Sequence, residues 1–198
     1  NDPDRGCFVY KSLMPTLPKR DHHFTEVWNI HKSGKYIWFQ SDFNLLRFDG
    51  SKSISIPCKY KITTSALIRG RLYIASKEGG ICQLNGKTFT SVPGGERVKG
   101  MRVCALLPYL KGNILIVTEF NGVFIFDGAT VRPFEMDIDP FLKANQVFCA
   151  ATNERELVFG TVNNGIVIKD ITNGNNTFVN MSTGLQNNTV LSIDFDRM

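Results

Sequence analysis

One phrase is written four times along this chain. LLRFDG ends at Gly50, GICQLNG at Gly86, GVFIFDG at Gly128 and GIVIKD at Asp170, each an apolar run that closes on Asp or Asn. The closing residues Asp49, Asn85, Asp127 and Asp170 follow one another at separations of 36, 42 and 43. A small hydroxyl residue ends the preceding apolar run, and Ser76, Thr118 and Thr161 each lie 9 residues before their own closing residue. In the first unit Ser41 lies 8 before Asp49, which predicts a hairpin one residue shorter. Two landmarks held in register over a period of roughly 40 residues commit the chain to a repeat architecture.

Inside each unit the pattern is strand, turn, strand, turn, strand. In the third, VCALL (103–107), ILIV (114–117), VFIF (123–126) and VRPF (131–134) are separated by Gly112-Asn113, Asn121-Gly122 and Asp127-Gly128. Asn-Gly and Asp-Gly favour turns whose central residues need positive φ, and such turns match the twist of antiparallel hairpins. The runs are too short for helices and rich in β-branched and aromatic residues. Four short antiparallel strands per unit make the blade of a β-propeller, so the expected class is all-β. Such a blade cannot cover its two faces alone, and copies of itself do so. This accounts for inner strands that are apolar on both sides instead of alternating. Blades are expected at about 26–57, 62–93, 101–134 and 145–180. Partial blades are expected at 7–13, as an outer strand, and at 189–198, as an inner strand whose partners are missing. The ring is expected to need residues from elsewhere, and exposed strand edges are expected to favour pairing with a second copy.

Totals narrow the function. The chain of 198 residues is 42% hydrophobic, enough for a real core. Its formal charge of +5 is spread without a basic arm or stripe, so the clustered Lys and Arg of a nucleic-acid surface are missing. Five cysteines, with no CxxC pair, signal neither a zinc knuckle nor a complete disulfide set. Cys82, Cys104 and Cys149 lie inside apolar strands and read as buried thiols acting as small hydrophobes. No apolar stretch is long enough to cross a bilayer.

GLQNNTVLSIDFDRM (184–198) resembles the repeat of the two-component regulator propeller. Asn188, Val190, Ile193 and Asp196 stand at its first four landmarks, and Trp38 with Ser41, Val158 through Thr161, and Gly165-Ile166 at later ones. LPKRDHHFTEVWNIH (17–31), VPGGERVKGMRVCALLPY (92–109) and FLKANQVFCAATNERELVFGT (141–161) extend the resemblance over nearly the whole chain, toward the Bacteroidetes group of such regulators. The family's second-strand Trp is kept only as Trp38, with Tyr73, Leu115 and Val158 elsewhere. The resemblance implies a periplasmic sensor propeller, tethered through a transmembrane helix to a kinase or DNA-binding output. No output motif lies within these residues. It implies a homodimer and a ligand-binding role without catalysis; the alternative is an interaction scaffold with no small ligand.

Candidate sites divide accordingly. GGERVKGM (94–101) lacks the Lys-Ser/Thr ending of a P-loop and reads as a connection between blades. Asp21, His22 and His23 could offer metal donors, but His31 is the only further His, so no metal and no cofactor is expected. No nucleophile elbow is present, and no catalytic residue is assigned. Trp38 reads as core, and Trp28 as a residue facing the central channel. Sequons beginning at Asn175, Asn180 and Asn187 read as turn chemistry. Propellers bind at the ends of the axis, where the hairpins between second and third strands gather. Those hairpins hold Asp42, Phe43 and Asn44, then Lys77 and Glu78, then Glu119 and Phe120, then Asn163 and Asn164. With Trp28 these are the expected contacts for an oligosaccharide or peptide, whose apolar CH groups an aromatic face covers while polar atoms fix orientation.

Overall fold

The computed structural model describes residues 12–22, 26–153 and 155–196. Four antiparallel sheets follow one another along the chain, each a four-stranded meander in sequence order. The first contains β1 (Asn29–Ser33), β2 (Tyr36–Gln40), β3 (Asn44–Phe48) and β4 (Ser53–Pro57). The second contains β5 (Ile62–Ile68), β6 (Arg71–Ser76), β7 (Gly80–Asn85) and β8 (Thr88–Ser91). The third contains β9 (Val103–Pro108), β10 (Ile114–Thr118), β11 (Val123–Phe126) and β12 (Val131–Pro133). A short helix, α1 (Asp139–Ala144), precedes the fourth sheet of β13 (Val147–Thr152), β14 (Glu156–Thr161), β15 (Ile166–Asp170) and β16 (Asn176–Val179).

The sheets stack face to face, with β5 beside β9 and β9 beside β13, so the first strands line an axis and the fold is a β-propeller. The third blade shows why both faces are apolar. Ile114 and Ile116 of β10 pack with Tyr73 and Ala75 of β6, while Leu115 and Val117 pack with Leu157 and Phe159 of β14. Leu115 and Phe159 are fully buried. Trp38 lies in a third cluster, with Leu45, Leu72 and Ile74, between the first two blades. α1 was not expected from sequence. It sets Leu142 and the adjoining Ile138 into the seam between the third and fourth blades.

The repeat landmarks are turn chemistry. Thr118 Oγ1 donates to Gly122 O at 2.6 Å and accepts from Asn121 N at 3.0 Å; Thr161 does the same with Gly165 O (2.9 Å) and Asn164 N (3.0 Å). Ser41 N–H bonds Asn44 O three residues on, where Thr118 and Thr161 bond four residues on, so the first hairpin is the shorter one. The closing Asp accepts two backbone N–H groups of the next turn: Ser51 and Lys52 at Asp49, Ala129 and Thr130 at Asp127, Thr172 and Asn173 at Asp170. Gly80 and Gly165 enter the third strand at positive φ, and a Cβ there would strike the backbone carbonyls of Gly95 and Val179.

Two ends of the chain differ from regular blades. Residues 7–11 of the expected outer strand lie outside the described residues, and Ser12 and Leu13 form no strand. Residues 188–193 lie along the far face of the fourth blade with no sheet partner among the described residues: Val190 N bonds Thr161 O at 2.9 Å, and Val190 and Ile193 reach Gly160. Among the described residues no helix is long and apolar enough to cross a membrane.

Candidate functional site

The first strands line a cleft of about 1130 Å3. A bulge recurs near the start of β5, β9 and β13, opposite the hydroxyl landmark, and leaves Thr63, Cys104 and Phe148 as extra residues that border the cleft. At its mouth, the turn after β2 or β10 meets the residue that leads into the next first strand, while after β6 Lys77 O accepts from Gly100 N at 2.8 Å. At the first junction Asp42 accepts from Trp28 Nε1 at 3.0 Å, and its other oxygen pairs with Lys61 Nζ at 3.0 Å. Asp42 is 8% exposed while the indole it holds is 60% exposed. The aromatic face is thus fixed in orientation and bare. At the third junction Glu119 Oε1 accepts from Gln146 Nε2 at 2.9 Å and from Arg102 Nη1 at 3.2 Å, with the Arg102 guanidinium 5.7 Å from the Phe148 ring centroid.

A chain of polar side chains joins the first two blades beneath the mouth. Asn29 Nδ2 and Ser65 Oγ both donate to Gln40 Oε1, at 2.7 and 3.0 Å, and His31 Nε2 lies 2.8 Å from Ser65 Oγ. The one Ser65 proton is committed to Gln40, so His31 donates from Nε2. Burial pushes the His31 pKa down and favours this neutral ring. The polarity is the reverse of a nucleophile–base pair, in which the hydroxyl gives its proton to the imidazole. Gln40 Nε2 is buried with no hydrogen-bond partner among the described residues. Further round the cleft Cys104 donates to Val147 O at 3.1 Å and Cys149 to Val190 O at 3.5 Å. Cys82, Cys104 and Cys149 are free thiols but partly exposed, not buried as expected, and Cys58 is partly exposed as well. Desolvation still pushes Cys104 up to about 12 and Cys149 to about 11, so both are neutral thiols at pH 7.

Of the ten residues singled out in the sequence, Trp28, Asp42, Lys77, Glu78 and Glu119 border the cleft. Phe43 and Phe120 are about half exposed on hairpin tips away from it, and Asn44, Asn163 and Asn164 are also outside it. Asn44 Oδ1 accepts from Ser55 Oγ at 3.2 Å within its own sheet, and the Asn164 amide N–H serves the Thr161 turn. Lys61, Arg102 and His31 border the cleft and were missed. Lys61 and Arg102 each precede a first strand, a position that could have been paired with the hairpins had the blade register been known. His22 bonds Leu17 O at 3.1 Å, and His23 lies outside the described residues. Among the described residues no group of three or more His, Cys, Asp or Glu is placed to hold a metal.

No family model matches the chain, and no curated protein matches it. Solved structures do. The extracellular domain of a hybrid two-component system of B. thetaiotaomicron is 14% identical over 87% of this chain and 26% of its own length, with a TM-score of 0.65. That of a one-component system from the same organism is 17% identical over 91% and 26%, with a TM-score of 0.69. Virginiamycin B lyase of Staphylococcus aureus is 12% identical over 76% and 54%, with a TM-score of 0.59. At these identities the likeness is one of fold, and that fold carries both extracellular domains of regulators and an enzyme. The chain spans about a quarter of the length of the two extracellular domains.

Proposed function

We propose that this chain is a periplasmic, non-catalytic sensor segment of a membrane-tethered regulator of the two-component type, and that it binds an oligosaccharide or peptide at the mouth of the cleft. The supporting observation is the Trp28 indole, bare on one face and fixed by Asp42, which Lys61 holds in turn. An aromatic surface already locked by hydrogen bonds loses little entropy when a sugar ring or side chain stacks on it. Occupancy of a mouth built from residues of several blades favours one arrangement of those blades over another, and such a bias is what a downstream output can read. The likeness to regulator domains and the sequence resemblance support the same reading.

Calorimetric titration with a panel of disaccharides and short peptides tests it. A ligand should emerge whose affinity falls about tenfold or more in Trp28→Ala. In Asp42→Asn the loss should be smaller, because the ring stays but its fixation weakens. A panel ligand that binds equally to wild type and Trp28→Ala refutes the site.

The second reading, a scaffold that assembles copies of the chain, draws on the two end blades. Ile30 points away from the second blade and is 63% exposed, and Leu191 beyond the fourth blade is 64% exposed. Sedimentation should then show a concentration-dependent dimer that Ile30→Lys dissolves, with no heat from any ligand.

A further inference from the structure

The residue after the hydroxyl landmark is an acid at the first and third junctions of the mouth, Lys77 at the second and Val162 at the fourth. At the first junction the residue after the hydroxyl landmark is an acid, Asp42, held by Lys61 of the next blade. At the third it is again an acid, Glu119, held by Gln146 of the next blade. At the second junction the same two positions carry Lys77 and Arg102, both basic and both bordering the cleft. Arg102 turns back to Glu119 of its own blade, through one nitrogen and onto an oxygen that Gln146 already occupies. Its side chain stays 47% exposed, and Nη1 is its one nitrogen with a side-chain partner among the described residues. Lys77 forms no ion pair among the described residues, although its backbone carbonyl is fixed by Gly100 N–H at 2.8 Å. Glu78, the next residue, is exposed and pairs with neither cation.

We infer that Lys77 and Arg102 form a subsite for an anionic substituent, a carboxylate or sulfate, on a saccharide stacked against Trp28. This rests on the proposed binding of a saccharide at the mouth. Lys77 and Arg102 border the same cleft, and a planar carboxylate or a sulfate bound there accepts charge-assisted hydrogen bonds from both. The acid that the first and third junctions carry within the protein is here supplied by the ligand.

Three disaccharides of one linkage serve as probes: unmodified, carrying a uronate ring, and carrying an O-sulfate. They are titrated calorimetrically into the wild-type chain, Lys77→Gln, Arg102→Gln, Trp28→Ala, and Lys87→Gln in the turn between β7 and β8 as control. Thermal unfolding verifies that each variant is folded. At least one acidic probe should bind about tenfold more tightly than the neutral one. That advantage should vanish in Lys77→Gln and in Arg102→Gln, shrink as salt is raised, and survive in Lys87→Gln. A preference for uronate over sulfate, or the reverse, distinguishes the two anions. Equal binding of all three disaccharides, lost together in Trp28→Ala, overturns the anionic subsite and leaves the sensor reading intact. An acidic preference that survives both cation variants places the anion elsewhere and overturns it as well. Absence of binding by any disaccharide, or tighter binding of an acidic peptide than of all three, overturns the assignment to a saccharide.

Discussion

At the scale of single residues the chain repeats itself because its turns do. The hydroxyl of Thr161 and the carboxylate of Asp170 satisfy backbone groups that a tight turn leaves without partners, and only a few side chains are short enough to do so. Thr161→Val keeps the shape and strands the Asn164 backbone N–H in a partly buried turn, so it should lower stability by about 1 kcal/mol in denaturant unfolding. The aspartates give these turns an acid dependence. Asp49 is held down to about 2, first by the Lys52 backbone N–H and then by that of Ser51, and the turn N–H groups of Ala129 and Thr130 depress Asp127 in the same sense. A carboxylate whose folded pKa lies below its unfolded value contributes stability above the unfolded value. That contribution is lost as pH falls through the folded one. For Asp49 the window runs from about 4 down to about 2. Replacing Asp49, Asp127 and Asp170 together by Asn, which still accepts both N–H groups, should flatten the fall of the melting temperature in that window. Replacement by Ala should lower the melting temperature at every pH. Such landmarks are legible in sequence because they act within a few residues. Lys61 and Arg102 were not, since their partners Asp42 and Glu119 are brought to them only by the register of the blades and by strands of the sheet.

At the scale of elements, the short apolar runs were legible as strands because no other structure uses four or five residues between glycine turns. Their two-sided burial follows from stacking: successive residues of β10 belong to different seams, Leu115 to the one with the fourth blade and Ile116 to the one with the second. Leu115→Ala should cost about 2–5 kcal/mol, since a cavity opens in a seam closed on both sides by sheets that cannot collapse into it. A shift of the denaturant midpoint with an unchanged slope would verify it. α1 escaped the sequence reading for a physical reason. Six residues beginning with Asp139-Pro140 give less than two turns of periodicity, and its position is fixed by Leu142 in the seam, not by helix propensity. The cysteines erred in the other direction. Apolar neighbours in sequence implied burial, but the bulges and blade borders set Cys104 and Cys149 at the cleft, where Cys104 reaches Val147 O of β13 and Cys149 reaches Val190 O of the segment after β16.

At the scale of the whole molecule, stability is a sum over blades and the seams between them, so every face must be covered by a neighbour. On the far face of the fourth blade lie residues 188–193, which have no sheet partner among the described residues. Gly160 is what admits them: a Cβ there would meet Cys149 Sγ, Val190 and Ile193. The same segment gives Cys149 its hydrogen bond to Val190 O and contributes to the desolvation that pushes its pKa to about 11. Deleting residues 188–196 should therefore return Cys149 toward the ordinary thiol range and speed its alkylation at pH 8, read residue by residue by mass spectrometry. Cys104 is the internal control. Its thiol, pushed up to about 12, bonds Val147 O in the seam between the third and fourth blades and should stay slow in both forms. Gly160→Ala should reproduce part of the effect in the undeleted chain by forcing Val190 and Ile193 off the sheet. If Cys149 remains as slow as Cys104 after the deletion, its protection comes from the fourth blade itself and not from residues 188–196.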